Sequence, residues 1–136
     1  EAAATDGFEI VMTTAYRSYG FQSTLYNNYV KAHGQKEADR FSARPGHSEH
    51  QTGLAVDISA PSVGYALTQD FEGTPEWAWL MENAREYGFI LRYPKGKTQI
   101  TGYMYEPWHF RYVGLEAAIE IEESAITLEE YLSRSS

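Results

Sequence analysis

The sequence predicts an α+β fold, a mainly antiparallel sheet flanked by helices. Short runs rich in β-branched and aromatic residues recur along the chain, helical periodicities fall irregularly between them, and several connections are short turns. A doubly wound parallel sheet would need regular helical crossovers instead. With 136 residues the chain suffices for one compact core and is too short for two ordinary domains, so residues 1–136 are expected to form one domain. Hydrophobic residues at 43% and aromatics at 15% fit a folded globule, and 11 tyrosines with three tryptophans suit an aromatic-lined cleft.

Element by element, "IVMTTAY" (10–16) reads as a strand with Arg17 at its end. From Ser18 to His33, Phe21, Leu25 and Tyr29 with Tyr26 and Val30 keep helical spacing, and Gly34 is a stop. "KEADRFSA" predicts a short second helix and "RPGHSEH" a turn segment. "GLAVDIS" is a strand, apolar throughout apart from Asp57, and residues 61–73 read as a surface loop. Thr74 caps a helix that starts with Pro75 and Glu76, buries Trp77, Leu80, Met81 and Ala84, and runs to Gly88. "FILRY" and "WHFRYV" are strands separated by a "PKGK" turn, and "LEAAIEIEES" and "TLEEYLSR" close the chain as helices.

The formal net charge of −8 is concentrated at the C-terminus, where residues 115–136 hold six glutamates against one arginine. Nucleic acid is therefore excluded as a partner, since its binding relies on Lys and Arg neutralising phosphates. The acidic tail reads as a solvated helix face. No run of about 18 apolar residues is present to cross a membrane, and "EAAATDGFEI" lacks the basic start and apolar core of a signal peptide. There are no cysteines, so any metal must be held by His, Asp or Glu.

Two polar clusters carry the chemistry. In "SEHQTGLAVDIS" an aspartate, Asp57, sits between Val56 and Ile58, and a buried carboxylate needs a partner charge, several hydrogen bonds or a metal. "EPWHFRY" adds Glu106 and His109. His50, Asp57 and His109 form a donor set that suits zinc and leaves a coordination position open, and Glu106 beside it would suit a general base. Each residue also has an ordinary reading: a satisfied polar histidine, an aspartate paired with an arginine, a surface glutamate. Spacing alone leaves both readings open. Gly53 is expected to let the backbone turn tightly between His50 and the Asp57 strand.

"SEHQTGLAVD" and "EPWHFRY" resemble the S-x-H-x-x-G-x-A-x-D and E-x-W-H motifs of the VanY-type D-alanyl-D-alanine carboxypeptidases and their LdcB-like L,D-carboxypeptidase relatives, zinc peptidases whose fold is shared with lysostaphin-type enzymes and the hedgehog domain (the LAS group). "TTAYRSYGFQ" and "YGFILRYPKGKTQITGYMYEPWHFRYVG" extend the resemblance over roughly residues 10–115. The resemblance implies His50, Asp57 and His109 as ligands of one zinc ion, Glu106 as catalytic base and Arg17 as the group facing the substrate's terminal region. It further implies Gln22 and Ser48 as hydrogen-bonding groups and Tyr93 and Trp108 as cleft walls. His33 and His47 stay outside the ligand set.

The implied activity is zinc-dependent removal of the C-terminal D-alanine from peptidoglycan stem peptides, with the L,D-carboxypeptidase reaction on tetrapeptide stems favoured and the D,D-carboxypeptidase reaction on pentapeptide stems the alternative. The rivals are a peptidoglycan endopeptidase, which needs a cleft open at both ends, and a hedgehog-like binding module, which needs no base beside its metal. The expected partner is the stem peptide, with no membrane contact in this segment and a monomeric state. The substrate class implies action outside the cytoplasm, the full-length protein being secreted or membrane-anchored.

Overall fold

A computed structural model describes residues 1–134, which fold around a four-stranded sheet in the order β1-β2-β4-β3. The strands are β1 (Val11–Thr14), β2 (Ala55–Ser59), β3 (Phe89–Leu91) and β4 (His109–Tyr112), and every neighbouring pair is antiparallel. The helices are α1 (Ala2–Thr5), α2 (Tyr19–His33), α3 (Gln35–Phe41), α4 (Pro75–Asn83), α5 (Thr98–Thr101), α6 (Leu115–Glu123) and α7 (Leu128–Arg134). The fold is the expected α+β class with an antiparallel sheet.

Local chemistry accounts for the element boundaries. Ser18 caps α2 by accepting the Phe21 N–H, and Gly34 ends it. Thr74 accepts the Trp77 N–H ahead of Pro75, which fills the first position of α4. Thr127 and Glu130 form a reciprocal capping box at the start of α7: Glu130 accepts the Thr127 N–H at 2.8 Å and the Glu130 N–H donates to Thr127 Oγ1 at 3.2 Å.

Strand alternation gives the sheet two different faces. Val56, Ile58 and Phe110 turn one way and pack with Phe71, Leu80 and Ala84 in the main core. Ala55, Asp57, Ser59 and His109 point the other way, so Asp57 breaks no hydrophobic surface: its apolar neighbours belong to the opposite face. A second cluster of Ile90, Ala118, Ile121 and Leu128 fastens α6 and α7 to the β3 edge.

Three expectations need correction. Residues 61–73 are not simply a surface loop: they contain 3-10 turns at Pro61–Val63 and Gln69–Gly73, and Phe71 is fully buried in the main core. The turn-forming residues around it conceal one aromatic anchor. Beyond Asn83 the α4 helix tightens into a 3-10 turn, Ala84–Tyr87, before Gly88 in the left-handed region, and Met81 is only partly buried and lies outside the main core cluster. Nor is the acidic tail a uniformly solvated face. Glu129 forks onto Arg92 and Glu130 reaches Lys97, although Glu116, Glu120 and Glu123 are exposed as expected. No helix among the described residues is long and apolar enough to cross a membrane.

Candidate metal centre and active site

Sheet register builds the centre. Asp57 on β2 and His109 on β4 are directly opposed across the antiparallel pair, the shortest route by which two residues far apart in sequence can share one site. His50 arrives from a 3-10 turn, Glu49–Thr52, tied to the segment that follows β1 by the Arg17 N–H donating to the His50 carbonyl at 3.0 Å. Gly53 closes that turn in the left-handed region at φ 74°, as its expected role requires, and redirects the chain into β2.

The resulting group is buried: His50, Asp57 and His109 are 2%, 3% and 4% exposed. One ligand atom from each lies within 4.8 Å of the others. His50 Nδ1 sits 2.6 Å from the Ala15 carbonyl, which fixes the proton on that nitrogen. Its Nε2 is buried without a hydrogen-bond partner among the described residues and lies 3.2 Å from Asp57 Oδ1. A ring lone pair facing a carboxylate oxygen at that distance calls for a cation, and two imidazoles with one carboxylate are a zinc-type donor set. The residues therefore fit the metal implied by the motifs.

Asp57 also accepts Thr14 Oγ1–H, and Arg17 Nη2 is 3.4 Å from its Oδ2. Burial, the largest single influence, would raise the Asp57 pKa, but His109 and His50 against it together outweigh burial and hold the carboxylate well below its usual range. Both nitrogens of His109 face carboxylates, Nδ1 the Asp57 side chain at 3.1 Å and Nε2 the Glu49 side chain at 3.3 Å. Burial opposes the charged ring, yet these partners lift its pKa to about 9.

Glu106 Oε2 lies 3.7 Å from His109 Nδ1. Its backbone is fixed on both sides, the Glu106 N–H donating to the Tyr93 carbonyl and its own carbonyl accepting the His109 N–H. Burial pushes the Glu106 pKa up to about 7, with His109 opposing and the Asp57 charge reinforcing. Such a carboxyl can both take and give a proton near neutrality.

A cavity of about 310 Å³ opens over these groups, and Arg17, Gln22, Ser48, Tyr93 and Trp108 all line it. Arg17 Nη1 donates to Gln22 Oε1 at 2.9 Å, and Gln22 in turn donates to the Ala43 carbonyl at 2.7 Å. Gln22 is thus a buried anchor at 1% exposure, on a helix whose pattern alone would allow it to be solvated. Tyr93 stacks on His109 with ring centroids 4.8 Å apart, while Trp108 both borders the cavity and packs on the main core. All nine residues singled out from the sequence meet at this one place.

Sequence reasoning passed over Glu49, Arg92 and Arg111. Glu49 is held near pKa 2: burial opposes, but its contacts with His109 and Arg92 prevail. Arg92 Nε donates to Glu49 Oε1 at 2.7 Å and Arg111 Nη1 lies 3.1 Å from the same oxygen. The only signal in the sequence was the position of Glu49 beside His50 within the first motif.

The chain matches the family model described as VanY, D-alanyl-D-alanine carboxypeptidase, over residues 1–115. It is 41% identical over 142 residues to a D-alanyl-D-alanine carboxypeptidase of Enterococcus faecalis, covering 98% of this chain and 51% of that protein. Among solved structures it is similar to the LdcB LD-carboxypeptidase, whose structure was described for its recognition of peptidoglycan. The two share 48% identity at a TM-score of 0.92, over 97% of this chain and 62% of that one. A variant of the vancomycin-resistance D,D-pentapeptidase VanY from a VanB-type cassette, solved with Zn(II), shares 40% identity at a TM-score of 0.82, over 96% and 75% of the two chains. The chain spans about half the length of the curated relatives it matches.

Proposed function

Because the chain belongs to the VanY family of D-alanyl-D-alanine carboxypeptidases, we propose that it is a zinc-dependent carboxypeptidase that releases the C-terminal D-alanine of peptidoglycan stem peptides. The observation that carries this reading is the convergence of His50, Asp57 and His109 within 4.8 Å, with the Glu106 carboxyl beside them. A zinc ion held by the three would polarise the scissile carbonyl and lower the pKa of water.

The protein's own groups supply the rest. Glu106 takes a proton from the attacking water and returns it to the nitrogen of the leaving D-alanine as the C–N bond breaks, a two-way transfer that its raised pKa suits. Arg17 has a buried Nε without a partner among the described residues beside its contacts to Gln22 and Asp57, and its guanidinium is placed to meet the substrate's terminal carboxylate or a developing oxyanion. Gln22 and Ser48 offer polar contacts along the cavity, and Tyr93 and Trp108 form its aromatic walls. The reading takes the protein as a monomer, and a peptidoglycan substrate implies a reaction outside the cytoplasm, by a protein secreted or anchored at the membrane.

We favour the L,D reaction on tetrapeptide stems over the D,D reaction on pentapeptide stems, supported by the greater likeness to LdcB than to the D,D-pentapeptidase. Incubating the zinc-loaded protein with matched synthetic stems and measuring free D-alanine tests both levels. Release from the tetrapeptide is expected. Release from the pentapeptide alone would make the enzyme D,D-specific, and cleavage of neither with zinc bound would overturn the carboxypeptidase reading in favour of an endopeptidase or binding role.

A further inference from the structure

Glu49 belongs neither to the ligand set nor to the proton-transfer groups, yet its side chain is only 13% exposed and its two oxygens do separate things. Oε2 faces His109 Nε2 at 3.3 Å. Oε1 receives Arg92 Nε at 2.7 Å and lies 3.1 Å from Arg111 Nη1. The other two nitrogens of Arg92 form a fork on Glu129, at 3.0 and 2.6 Å. Arg92 also touches the His109 surroundings twice more: its N–H donates to the His109 carbonyl at 3.1 Å, and its guanidinium carbon lies 5.0 Å from the centre of the Tyr93 ring that stacks on His109. Glu129 is on α7, beyond residue 115 where the family match ends.

We propose that Glu49 is a positioning residue that accepts the Nε2–H of His109 and so turns Nδ1 toward Asp57 and His50, and that Arg92, clamped by Glu129, holds Glu49 in that role. The C-terminal helix is then a support of the metal centre, and not only a cover for the second hydrophobic cluster. The inference rests on the zinc-binding reading of His50, Asp57 and His109. A neutral imidazole can present either nitrogen to a metal, and the hydrogen bond at the other nitrogen decides which. A carboxylate does this better than an amide here. In Glu49→Gln a single amide oxygen cannot serve His109 while the amide NH2 faces two guanidinium groups.

The test measures zinc affinity by competition with a chromophoric chelator for the wild type, Glu49→Gln and Glu129→Gln, alongside histidine-labelled NMR of the zinc-loaded wild type. The expected results are a proton on His109 Nε2, zinc binding weakened about 10–100-fold in Glu49→Gln, and a smaller loss, under about 10-fold, in Glu129→Gln. A merely structural ion pair would lower the melting temperature and leave the zinc affinity and the tautomer unmoved. Unchanged affinity in either variant, or His109 protonated on Nδ1, overturns the proposal. The tautomer and the distant Glu129→Gln variant decide it even where Glu49→Gln folds poorly. Failure of the wild type itself to bind zinc would remove the metal reading instead, a result distinguishable from both.

Discussion

Arg17 enters the cleft with Nη1 on Gln22 and Nη2 near Asp57, so its guanidinium is aimed before any substrate arrives. Preorganised donors of this kind typically contribute about 10²–10³ in turnover. Arg17→Ala should lower D-alanine release by that factor with zinc still bound, and Arg17→Lys should recover little, because an ammonium lacks the planar fork. Steady-state kinetics with zinc content measured on the same samples would check this; full activity in Arg17→Ala would remove the residue from the site. At this scale the sequence was legible where a residue broke a pattern. Asp57 stands out because an acid inside "LAVDIS" demands compensation, and Glu106 and His109 stand out by their spacing around a proline. Glu49 breaks no pattern: a glutamate in a turn is ordinary, and its burial arises only when Arg92, Arg111 and His109 are brought to it by the sheet. Gln22 was legible through family likeness and not through helical periodicity.

The elements place these side chains through register. One residue of slip between β2 and β4 would send Asp57 to the core face and Val56 to the site, so the apolar set Val56, Ile58 and Phe110 fixes the ligands as firmly as it fixes the core. Strands and capped helices were readable because β-branched runs, Thr74-Pro75 and Gly34 are local signals. The burial of Phe71 and the 3-10 turns were not, since both depend on what packs against the segment. On the rim of the cleft, α2 and α3 are joined by Tyr26 donating to Asp39 Oδ1 at 2.6 Å, and Arg44, in the segment after α3, forks onto the same carboxylate. Arg44 first, then Tyr26, hold the Asp39 pKa down to about 2. A depressed carboxyl stabilises the fold above its unfolded value, about 3.9, and loses that contribution as pH falls through the folded value. The stability advantage of the wild type over Asp39→Asn should therefore be constant above about pH 5 and shrink steadily toward pH 2. Urea unfolding of both proteins across that range would show it, and a difference independent of pH would contradict the pairing.

Across the whole molecule the sheet divides the labour: one face carries the main core with Phe71, Leu80 and Phe110, and the other carries Asp57 and His109 under the cleft. A centre assembled from a turn and two strands exists only in the folded chain, so zinc should stabilise folding by mass action. At a free zinc concentration about 100 times its dissociation constant the gain is about 2.7 kcal/mol, which a chelator should abolish and which Asp57→Asn should reduce. Denaturant unfolding with and without zinc measures it; identical curves for the wild type would argue against a native metal site. Turnover needs both that metal and Glu106 as the proton carrier, which bound zinc and D-alanine release determined together for the wild type and Glu106→Gln would test. One zinc per chain is expected in both proteins, with release in the variant reduced by at least about 10²-fold. Turnover retained in Glu106→Gln with its zinc in place would contradict it.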